Sequence, residues 1–400
     1  MKHNWEYSKF GDLCEILRGG SPRPIQDYLT EDDNGLNWIK IGDVAAGSKY
    51  ITSTKEKIKP EGLKKTRQVH KGDFILSNSM SFGRPYILKI DGCIHDGWLA
   101  IQGVEKYFIP DFLFYFLSSP STYSLFEKSV KGGVVSNLNS DIVKSISIPV
   151  PPMDVQEQIV AELDGINSQI DRCRQLLQTL DSLATSLFYA TFGDPVTNPK
   201  GWDVKKMKEL TSLITNGTTP KGGQAVYVDS GIIFFRSQNV WRNKIIMEDV
   251  AYLDEATNTS MRGSMLKHND ILITKTGRIN TENSSLGRSA LFEGEDDSAN
   301  INGHVYLVRL NKGMSPRFVL SILLTNSYRD LIRKVCVGAI DKRQLNLTHI
   351  EQFPIITPPL EIQQNYVNQI VAIEAQKAKV EATIAELQTL LDSRMDYWFN

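Results

Sequence analysis

The sequence predicts an α+β protein in which two similar strand-rich domains are each followed by a long helix. Three observations predict this fold. The stretch Pro151–Gln156 recurs as Pro358–Gln363, 207 residues further on. Each copy opens a long segment of helical apolar periodicity, and the segments that precede the two copies match in their turn and strand signals. A self-similarity at one fixed separation indicates an internal duplication, which organises the whole chain.

Each long segment has the features of a helix from its first residues. Consecutive prolines are tolerated where a helix begins, and Asp154 or Glu361 then falls in the first turn, where the helix dipole favours a carboxylate. A helix from about 153 to 191 is about 58 Å long.

Apolar residues then recur in steps of four and three, which is the narrow a/d seam of a coiled coil. The seam positions are Ile159, Leu163, Ile166, Ile170, Cys173, Leu177, Leu180, Ala184 and Leu187, matched by Tyr366, Ile370, Ile373, Lys377, Val380, Ile384, Leu387, Leu391 and Arg394. We expect the two helices to pack side by side, with Lys377 and Arg394 interrupting the seam; two unrelated core helices are the alternative.

Bulk composition places the chain among ordinary globular proteins. Its 400 residues carry 45 Lys and Arg against 46 Asp and Glu, a net charge of −1. Whole-chain charge therefore does not indicate nucleic-acid binding, although a local basic surface is what matters for phosphate. Four cysteines without a CxxC motif predict a reducing cytoplasm rather than a disulfide or zinc framework. No apolar run is long enough to predict a membrane span.

The segments before the two helices can be aligned piece by piece. Both begin with a tryptophan and a short amphipathic stretch, followed by a cluster of turn residues and then by two predicted strands. The second strand of each leads to a polar loop with a Gly-Arg pair. The aligned pieces are Gly19–Pro24 with Asn216–Gly223, Trp38–Val44 with Phe234–Val240, Lys71–Ser77 with His268–Thr274, and Ser81–Arg84 with Ser285–Arg288.

The alignment continues to the beginning of the long helices. A helical patch around Phe112–Leu117 matches Phe318–Leu323, and small polar loops follow at Gly132-Gly133 with Ser136–Asn139 and at Gly338 with Gln344–Asn346. Polar residues and prolines at Phe192–Pro199 are typical of a linker. The predicted domains are 1–150, the helix 151–192, 193–356 and the helix 357–400.

The sequence contains no catalytic signature that we can identify. It lacks the phosphate-binding loop, the dinucleotide fingerprint and the paired-histidine metal motif. The histidines are scattered, and the adjacent carboxylates Asp32-Asp33 and Asp296-Asp297 sit in polar segments typical of solvated turns. We therefore expect no catalytic, cofactor or metal residue in this chain.

Basic and polar residues occur at matching loops of the two halves. Basic side chains neutralise phosphates, while Arg, Asn, Ser and Lys on loops can contact base edges in a groove. A basic run from Lys55 to Lys71 is the weakest of these signals, because charge runs are usually solvated surfaces. The candidate DNA-binding residues are Arg23, Lys40, Ser77, Asn78 and Arg84 in the first half, and Lys221, Arg236, Asn239, Lys275, Arg278 and Arg288 in the second.

Taken together, these motifs resemble the specificity subunit of Type I restriction-modification systems. The resemblance covers essentially the whole chain and rests on the Pro-Pro-x-x-x-Gln helix starts at 151–156 and 358–363. It rests also on the Gly-Asp and Asn-Asp strands at 72–77 and 269–274, and on the Gly-Gly-Ser-Pro and Gly-Thr-Thr-Pro loops at 19–22 and 217–220.

The resemblance implies a non-catalytic protein with a defined division of labour. Two target-recognition domains would each read one half of a split, asymmetric site in double-stranded DNA. The long helices would form an antiparallel, pseudo-twofold pair that sets the gap and docks two modification subunits. Those methyltransferase subunits would bind S-adenosylmethionine, and restriction subunits with ATP- and Mg-dependent motors would join them.

Two other functions are left open by the residues themselves. The first is a protein–protein scaffold with two peptide-binding domains, which would show no salt-dependent DNA affinity. The second is an enzyme such as a nuclease or glycosidase, whose activity would depend on one carboxylate. If DNA recognition holds, the base contacts are expected at Lys40, Ser77, Asn78 and Arg84, and at Arg236, Asn239, Lys275 and Arg288.

Overall fold

The structure is a computed structural model that describes residues 4–44, 47–78, 82–131, 137–279, 281, 283–339 and 342–400. The predicted loop residues Gly132, Gly133 and Ser136, and Ser81 of the first Gly-Arg loop, lie outside the described residues. The chain forms two compact units. The first unit comprises Met1–Gln175 with Glu381–Asn400, and the second comprises Leu176–Val380.

The first unit has most of its strands before most of its helices along the chain. Its strands are β1 (Glu6–Lys9), β2 (Glu15–Arg18), β3 (Leu29–Thr30), β4 (Leu36–Ile39), β5 (Tyr50–Ile51), β6 (Glu56–Ile58), β7 (Arg67–Val69), β8 (Phe74–Ser77), β9 (Pro85–Leu88), β10 (Gly92–Ile94), β11 (Trp98–Gln102) and β12 (Ser147–Val150). Its helices are α1 (Phe10–Leu13), α2 (Pro110–Ser118), α3 (Pro120–Lys131), α4 (Ser140–Ser145) and the first part of α5 (Met153–Phe192).

Two sheets form the body of the first unit, in the strand orders β2-β11-β8-β9-β5 and β3-β6-β4-β10-β7, and β1 pairs with β12. Strand β8 is buried on both faces, which explains its unbroken apolar run. Phe74 and Leu76 pack into the cluster that includes α2, whereas Ile75 packs into a separate cluster with Ile39 and Trp98. This alternation follows from the two-residue period of a strand.

The second unit repeats this arrangement. Its strands are β13 (Val204–Lys206), β14 (Thr211–Asn216), β15 (Ile232–Phe235), β16 (Ala251–Leu253), β17 (Ile271–Thr274), β18 (Thr276–Gly277), β19 (Ser289–Leu291), β20 (Ala299–Ile301), β21 (Val305–Leu310), β22 (Arg343–Gln344) and β23 (Pro354–Ile356). Its helices are the second part of α5, α6 (Glu255–Ser260), α7 (Pro316–Leu324), α8 (Asn326–Val335), α9 (Leu347–Glu351) and α10 (Leu360–Phe399), whose last part lies in the first unit.

The sheet topology of the second unit matches that of the first. The order β14-β21-β17-β19 corresponds to β2-β11-β8-β9, and the parallel pair β15-β20 corresponds to the parallel pair β4-β10. The terminal pair β13-β23 corresponds to β1-β12. The predicted α+β class with two similar domains, each followed by a long helix, is confirmed.

A buried glutamine fastens the start of each long helix and explains the Pro-Pro-x-x-x-Gln motif. Gln156 is fully buried; its Oε1 accepts from the Ile109 N–H (2.8 Å), and its Nε2 donates to the carbonyls of Tyr107 and Pro151 (both 2.9 Å). Gln363 repeats this with the Ser315 N–H (3.0 Å) and the Pro358 carbonyl (2.8 Å). Ile109 and Ser315 are the N-cap residues of α2 and α7, so each glutamine joins two helices.

The long helices α5 and α10 pair within each unit, and every predicted seam position is buried or half-buried. In the second unit, Asp181 pairs with Lys377. Phe188, further along α5, contacts Tyr366, which lies further back along α10, so the helices are antiparallel there. In the first unit, Glu162 binds both Arg394 and Trp398 of the other helix.

The expectation that Lys377 and Arg394 interrupt the seam is wrong. Lys377 forms an ion pair with Asp181 of the opposite helix, and the Arg394 guanidinium binds the Glu162 carboxylate. Both side chains are about one-third exposed, which is typical of long cations whose apolar stems cover neighbouring apolar surface. Helix α10 continues unbroken through both positions.

The predicted domain boundaries remain a prediction. Each compact unit contains a part of both long helices, so the units do not correspond to the predicted division into domains and separate helices.

Within the described residues, every helix is either too short or too polar to cross a bilayer.

Candidate nucleic-acid interface

Three loops of the first unit meet around Asp96, in the β10–β11 connection. The Ser21 hydroxyl donates to Asp96 Oδ1 (2.8 Å), and the Arg23 guanidinium lies 3.5 Å from Asp96 Oδ2. The Asn78 amide donates to the Asp96 carbonyl oxygen (2.7 Å). The bond from Ser21 lowers the pKa of Asp96, which keeps this carboxylate ionised. Asp96 therefore holds the glycine-rich loop after β2 against the loop after β8, a role that the sequence did not reveal.

Glycine is required in the loop after β2, and in the matching loop after β14, because another backbone lies against it. A Cβ at Gly19 would lie 2.1 Å from the His95 carbonyl oxygen, and one at Gly217 would lie 1.9 Å from the Ile301 carbonyl oxygen. The N–H of Gly19 donates to the Trp98 carbonyl (2.9 Å), and that of Gly217 donates to the Val305 carbonyl (3.1 Å). The two predicted glycine loops thus have one structural cause.

The predicted strands Trp38–Val44 and Phe234–Val240 end earlier than expected, at Ile39 and Phe235. A side-chain cap explains the early end. The Lys40 N–H donates to Asp43 Oδ2 (2.8 Å), and the Arg236 N–H donates to Asn239 Oδ1 (2.9 Å), which turns the chain.

Lys40 and Arg236 both follow these strands directly, and each cation has an acidic neighbour. Lys40 Nζ forms an ion pair with Glu56, and an Arg236 amino group lies 3.2 Å from Asp249 Oδ2. The side chain of Lys40 is 35% exposed and that of Arg236 only 16% exposed. Lys40 is therefore the more accessible of the two matching cations.

The two Gly-Arg turns are closed by a hydroxyl at the end of the preceding strand. Ser77 Oγ accepts from the Arg84 N–H (3.1 Å), and Thr274 Oγ1 accepts from the Arg288 N–H (2.9 Å). The glycines before these arginines have positive φ values, 80° at Gly83 and 66° at Gly287, which favour glycine. The turns therefore place residues 84 and 288 equivalently.

Three candidate contact residues are buried and serve the loops themselves. Ser77 and Asn78 are each 4% exposed, and Asn239 is fully buried. The Asn239 amide lies within 3.2–3.4 Å of the carbonyls of Ile246, Glu248 and Asp249. The structure assigns these side chains to loop support, and a DNA contact by any of them stays a prediction.

The remaining candidates differ in accessibility. Arg23, Arg84, Lys221 and Arg278 are exposed, and the Arg23 side chain is 83% exposed. Lys275 is half-buried, with its Nζ 5.8 Å from the centre of the Tyr306 ring. These cations could reach a phosphate or a base edge without any rearrangement of the fold.

Arg288 lies among other arginines of the second unit. Its guanidinium stacks 3.5 Å above the Trp241 ring, while Nε donates to the Ser284 carbonyl (3.0 Å) and an amino group donates to the Asn283 carbonyl. Arg242 and Arg329 are close enough for their charges to act on it. Arg329 and Arg333 are not among the residues predicted from the sequence. They stand four residues apart on one face of α8, and that spacing was the available signal.

Burial and like charge weaken proton binding in this group. Burial is the main cause that lowers the pKa of Arg288 to about 10, and the charges of Arg242 and Arg329 add to it. The pKa of Arg329 is likewise lowered to about 10 by burial and by Arg242 and Arg333, although Asp330 opposes the shift. Both guanidinium groups remain charged at neutral pH.

The basic run from Lys55 to Lys71 forms the surface of β6, β7 and the turn between them. Lys59 Nζ donates to the Asp27 carbonyl (2.8 Å), and Lys65 Nζ donates to the Tyr28 hydroxyl (2.7 Å). These lysines are exposed, as expected of a solvated face.

Both acidic pairs lie at turns. Asp296 Oδ1 accepts from the His268 N–H (2.8 Å), Asp297 occupies a left-handed turn position, and Asp32 and Asp33 are exposed. In the part of the chain that the structure describes, no three His, Cys, Asp or Glu side chains are placed to hold a metal ion.

Comparisons with known proteins agree on one family. The family model described as "Type I restriction modification DNA specificity domain" matches residues 2–182 and again 199–388. The Type I restriction enzyme MjaVIII specificity subunit of Methanocaldococcus jannaschii is 20% identical over 412 residues, and the match covers 98% of this chain and 92% of that protein. The EcoKI specificity subunit of Escherichia coli K12 is 18% identical, with coverage of 96% and 85%.

A solved structure has the same fold. It is described as the structural basis underlying complex assembly and conformational transition of the type I R-M system. Its chain is 19% identical, with a TM-score of 0.63 and coverage of 99% of this chain and 97% of that chain.

Proposed function

This chain belongs to the type I restriction-modification DNA specificity family, which matches it twice, and we propose on that premise that it is a DNA-recognition subunit. Each unit reads one half of a bipartite, asymmetric site in double-stranded DNA. One observation carries the proposal. The two units share a loop framework that includes the hydroxyl-closed Gly-Arg turns, yet they present its arginines differently: Arg84 is exposed, whereas Arg288 is half-buried against Trp241. Two different half-sites need this combination of common frame and different surface.

The exposed cations are proposed to make the DNA contacts. Arg84 is the strongest candidate for a base contact in the first unit, because it is exposed and its backbone is fixed against Ser77 at the base of the turn. Arg23, Lys40, Lys221, Lys275 and Arg278 are proposed to bind phosphates or base edges. Ser77, Asn78 and Asn239 act by holding the loops in place.

The long helices are proposed to set the gap between the half-sites and to dock the modification subunits. Each helix has 40 residues and is therefore about 60 Å long. Leu176 and Leu183, seven residues apart on one face of α5, are 46% and 51% exposed. Exposed leucines at this spacing suit a protein partner.

The chemistry is proposed to reside in the partner subunits. The modification subunits would supply S-adenosylmethionine-dependent methylation, the restriction subunits would supply ATP- and Mg-dependent translocation, and the whole assembly would act on cytoplasmic DNA. This chain would contribute recognition and no catalytic residue.

Methylation mapping tests the proposal. The chain is expressed with its modification subunit, and the methylated positions of the host genome are read; we expect one split motif. Arg84→Ala should relax one half of that motif and leave the other unchanged. The preference for the correct base over the wrong base at the contacted position should fall by about 1–3 kcal/mol. Lys312→Ala, at an exposed lysine after β21, is the matched control and should leave the motif intact.

Two outcomes would contradict parts of the proposal. If Arg84→Ala weakens methylation equally at every sequence, Arg84 binds phosphate rather than a base. If neither the chain nor its assembly binds duplex DNA in a salt-dependent way, DNA recognition itself is wrong, and the peptide-binding scaffold becomes the better explanation.

A further inference from the structure

The second unit contains a group of arginines that we name the arginine cluster: Arg242, Arg278, Arg288, Arg329 and Arg333. Arg278, Arg329 and Arg333 lie around one narrow crevice together with Ser284, Leu286 and Ile332, and the crevice itself has no room for a water molecule. Arg288 stacks on Trp241 beside it, and Arg242 acts electrostatically on both Arg288 and Arg329. Residues from the β15–β16 connection, the β17–β19 connection and helix α8 therefore meet at one surface.

Positive charge is concentrated at this surface, although Arg288 stacks on Trp241 and donates to two backbone carbonyls. Asp330 opposes the charge through an ion pair with Arg333 (2.9 Å) and through its effect on Arg329. Apart from exposed Arg278, the arginines are half-buried, so water screens their mutual repulsion incompletely. An anion bound at this surface would relieve that repulsion, which favours an anion-binding surface.

The guanidinium group specifies the kind of anion. Its planar fork of donors matches the oxygens of a phosphate, and arginine is preferred where phosphate is bound. Several guanidinium groups converging from three elements would suit a chain of phosphates better than one isolated phosphate. The backbone of a DNA strand provides such a chain.

The matching place in the first unit has different chemistry. The N-cap hydroxyls Ser119 and Thr325 align α3 with α8, so that Tyr123 corresponds to Arg329 and Glu127 to Arg333. The glycine turns agree with this alignment: a Cβ at Gly83 would contact Phe126, and one at Gly287 would contact Ile332.

Tyr123 of the first unit stacks on Phe82, with ring centres 5.5 Å apart, and lines a pocket of about 710 Å³ with Arg84. An aromatic surface with one acid thus stands where the second unit has two arginines. The two units therefore present different surfaces for DNA although their backbones turn alike.

We propose that the arginine cluster binds consecutive phosphates of the DNA backbone, so that the second unit holds its half-site through salt-dependent contacts that the first unit lacks at the matching place. This inference rests on the proposed function. It adds that the two half-sites are held by different forces: the second unit anchors the duplex irrespective of sequence, and the first contributes more through its aromatic surface and Arg84.

The test measures the salt dependence of DNA binding by the full chain, alone or with its modification subunits if these are needed for affinity. Fluorescence anisotropy with a labelled random-sequence duplex gives the affinity between about 50 and 200 mM salt. Each neutralised phosphate contributes about −0.9 to the slope of log affinity against log salt. We expect Arg329→Gln to make the slope less steep by about 1. We expect no change for Arg262→Gln, at an exposed arginine of the same unit outside the cluster.

Thermal melting shows whether the variant is folded. Because Arg329→Gln removes one of several like charges, its melting temperature should equal or exceed that of the wild type at low salt. A folded variant whose slope equals the wild-type slope would overturn the inference while leaving the proposed function intact. Absence of salt-dependent binding by the wild-type protein and its assembly would instead overturn the proposed function.

Inorganic phosphate distinguishes a DNA backbone from a free phosphate ligand. If phosphate raises the melting temperature of the wild type but not of Arg329→Gln, and the DNA slopes are equal, the cluster binds a free anion and the DNA assignment is wrong. Arg329→Gln should also leave the methylated motif unchanged, since phosphate contacts carry no base information. A changed motif would overturn the sequence-independent role.

Discussion

Replacing Gln156 with alanine tests whether one buried amide fastens a long helix to the first unit. Its side chain makes three hydrogen bonds, from the Ile109 N–H (2.8 Å) and to the carbonyls of Tyr107 and Pro151 (both 2.9 Å). Alanine would leave all three backbone groups without this partner at a fully buried place. The equivalent Gln363 makes two such bonds at 3.0 and 2.8 Å, and its third contact is the Met314 sulfur at 3.5 Å, a weak acceptor.

The hydrogen bonds set the size of the expected effect. A hydrogen bond contributes about 1 kcal/mol net, so Gln156→Ala should lower the free energy of unfolding by about 3 kcal/mol. Gln363→Ala should lower it by about 2 kcal/mol, because one of its contacts is weak. The two substitutions remove the same atoms from duplicated motifs, so their difference reports the hydrogen bonds rather than the lost volume.

Urea unfolding, followed by hydrogen exchange of the amides in each unit, measures both effects. Gln156→Ala should increase exchange in the first unit, around Ile109 and the start of α5, and Gln363→Ala should do so in the second unit around Ser315. A loss below about 1 kcal/mol for Gln156→Ala would refute the reasoning. So would equal losses for the two variants, since packing alone would then explain both.

Two other substitutions test the frame. Gly217→Ala should destabilise the second unit by more than about 2 kcal/mol, because its Cβ would lie 1.9 Å from the Ile301 carbonyl oxygen; Gly42→Ala, with open space around its Cβ, should be neutral in the same urea experiment. Arg394→Gln should cost less than about 1 kcal/mol at neutral pH, because the ion pair with Glu162 is partly exposed. The hydrogen bond from Arg394 lowers the pKa of Glu162, so this stabilisation is lost as the pH falls through that lowered pKa. The variant should match the wild type once Glu162 is protonated, and a difference that persists there would contradict the ion-pair explanation.

The sequence predicted the features that depend on local pattern. The seam of α5 and α10 follows from helical periodicity, and strands β8 and β17 follow from short apolar runs after turn signals. The role of the two charged residues within the seam could not be predicted from periodicity. Lys377 and Arg394 looked like interruptions because their partners Asp181 and Glu162 lie nearly 200 or more positions away in sequence.

The candidate site was predictable only in part, for the same reason. The loops were recognisable from glycine and Gly-Arg signals, but whether a side chain on them is exposed depends on tertiary contacts. Asn78 and Asn239 resemble contact residues in sequence, yet their amides bond to the backbone of neighbouring loops. Arg329 belongs to an unremarkable amphipathic helix, and its meeting with Arg242 and Arg278 appears only once three separate elements are packed.

The way the loops are held explains how the two units could diverge without loss of the fold. Ser77 and Thr274 close their turns by binding the backbone N–H of an arginine, and Ser119 and Thr325 cap their helices through backbone N–H groups. These backbone contacts do not depend on the outer side chains, so those side chains can change while the turns and caps are kept. Tyr123 and Glu127 can therefore stand where the second unit has Arg329 and Arg333, a change from one negative charge to two positive charges on the same helical face. If the inference about the arginine cluster holds, this single face decides how strongly each unit depends on phosphate, and exchange of these residues between the units should transfer the salt dependence from one half-site to the other.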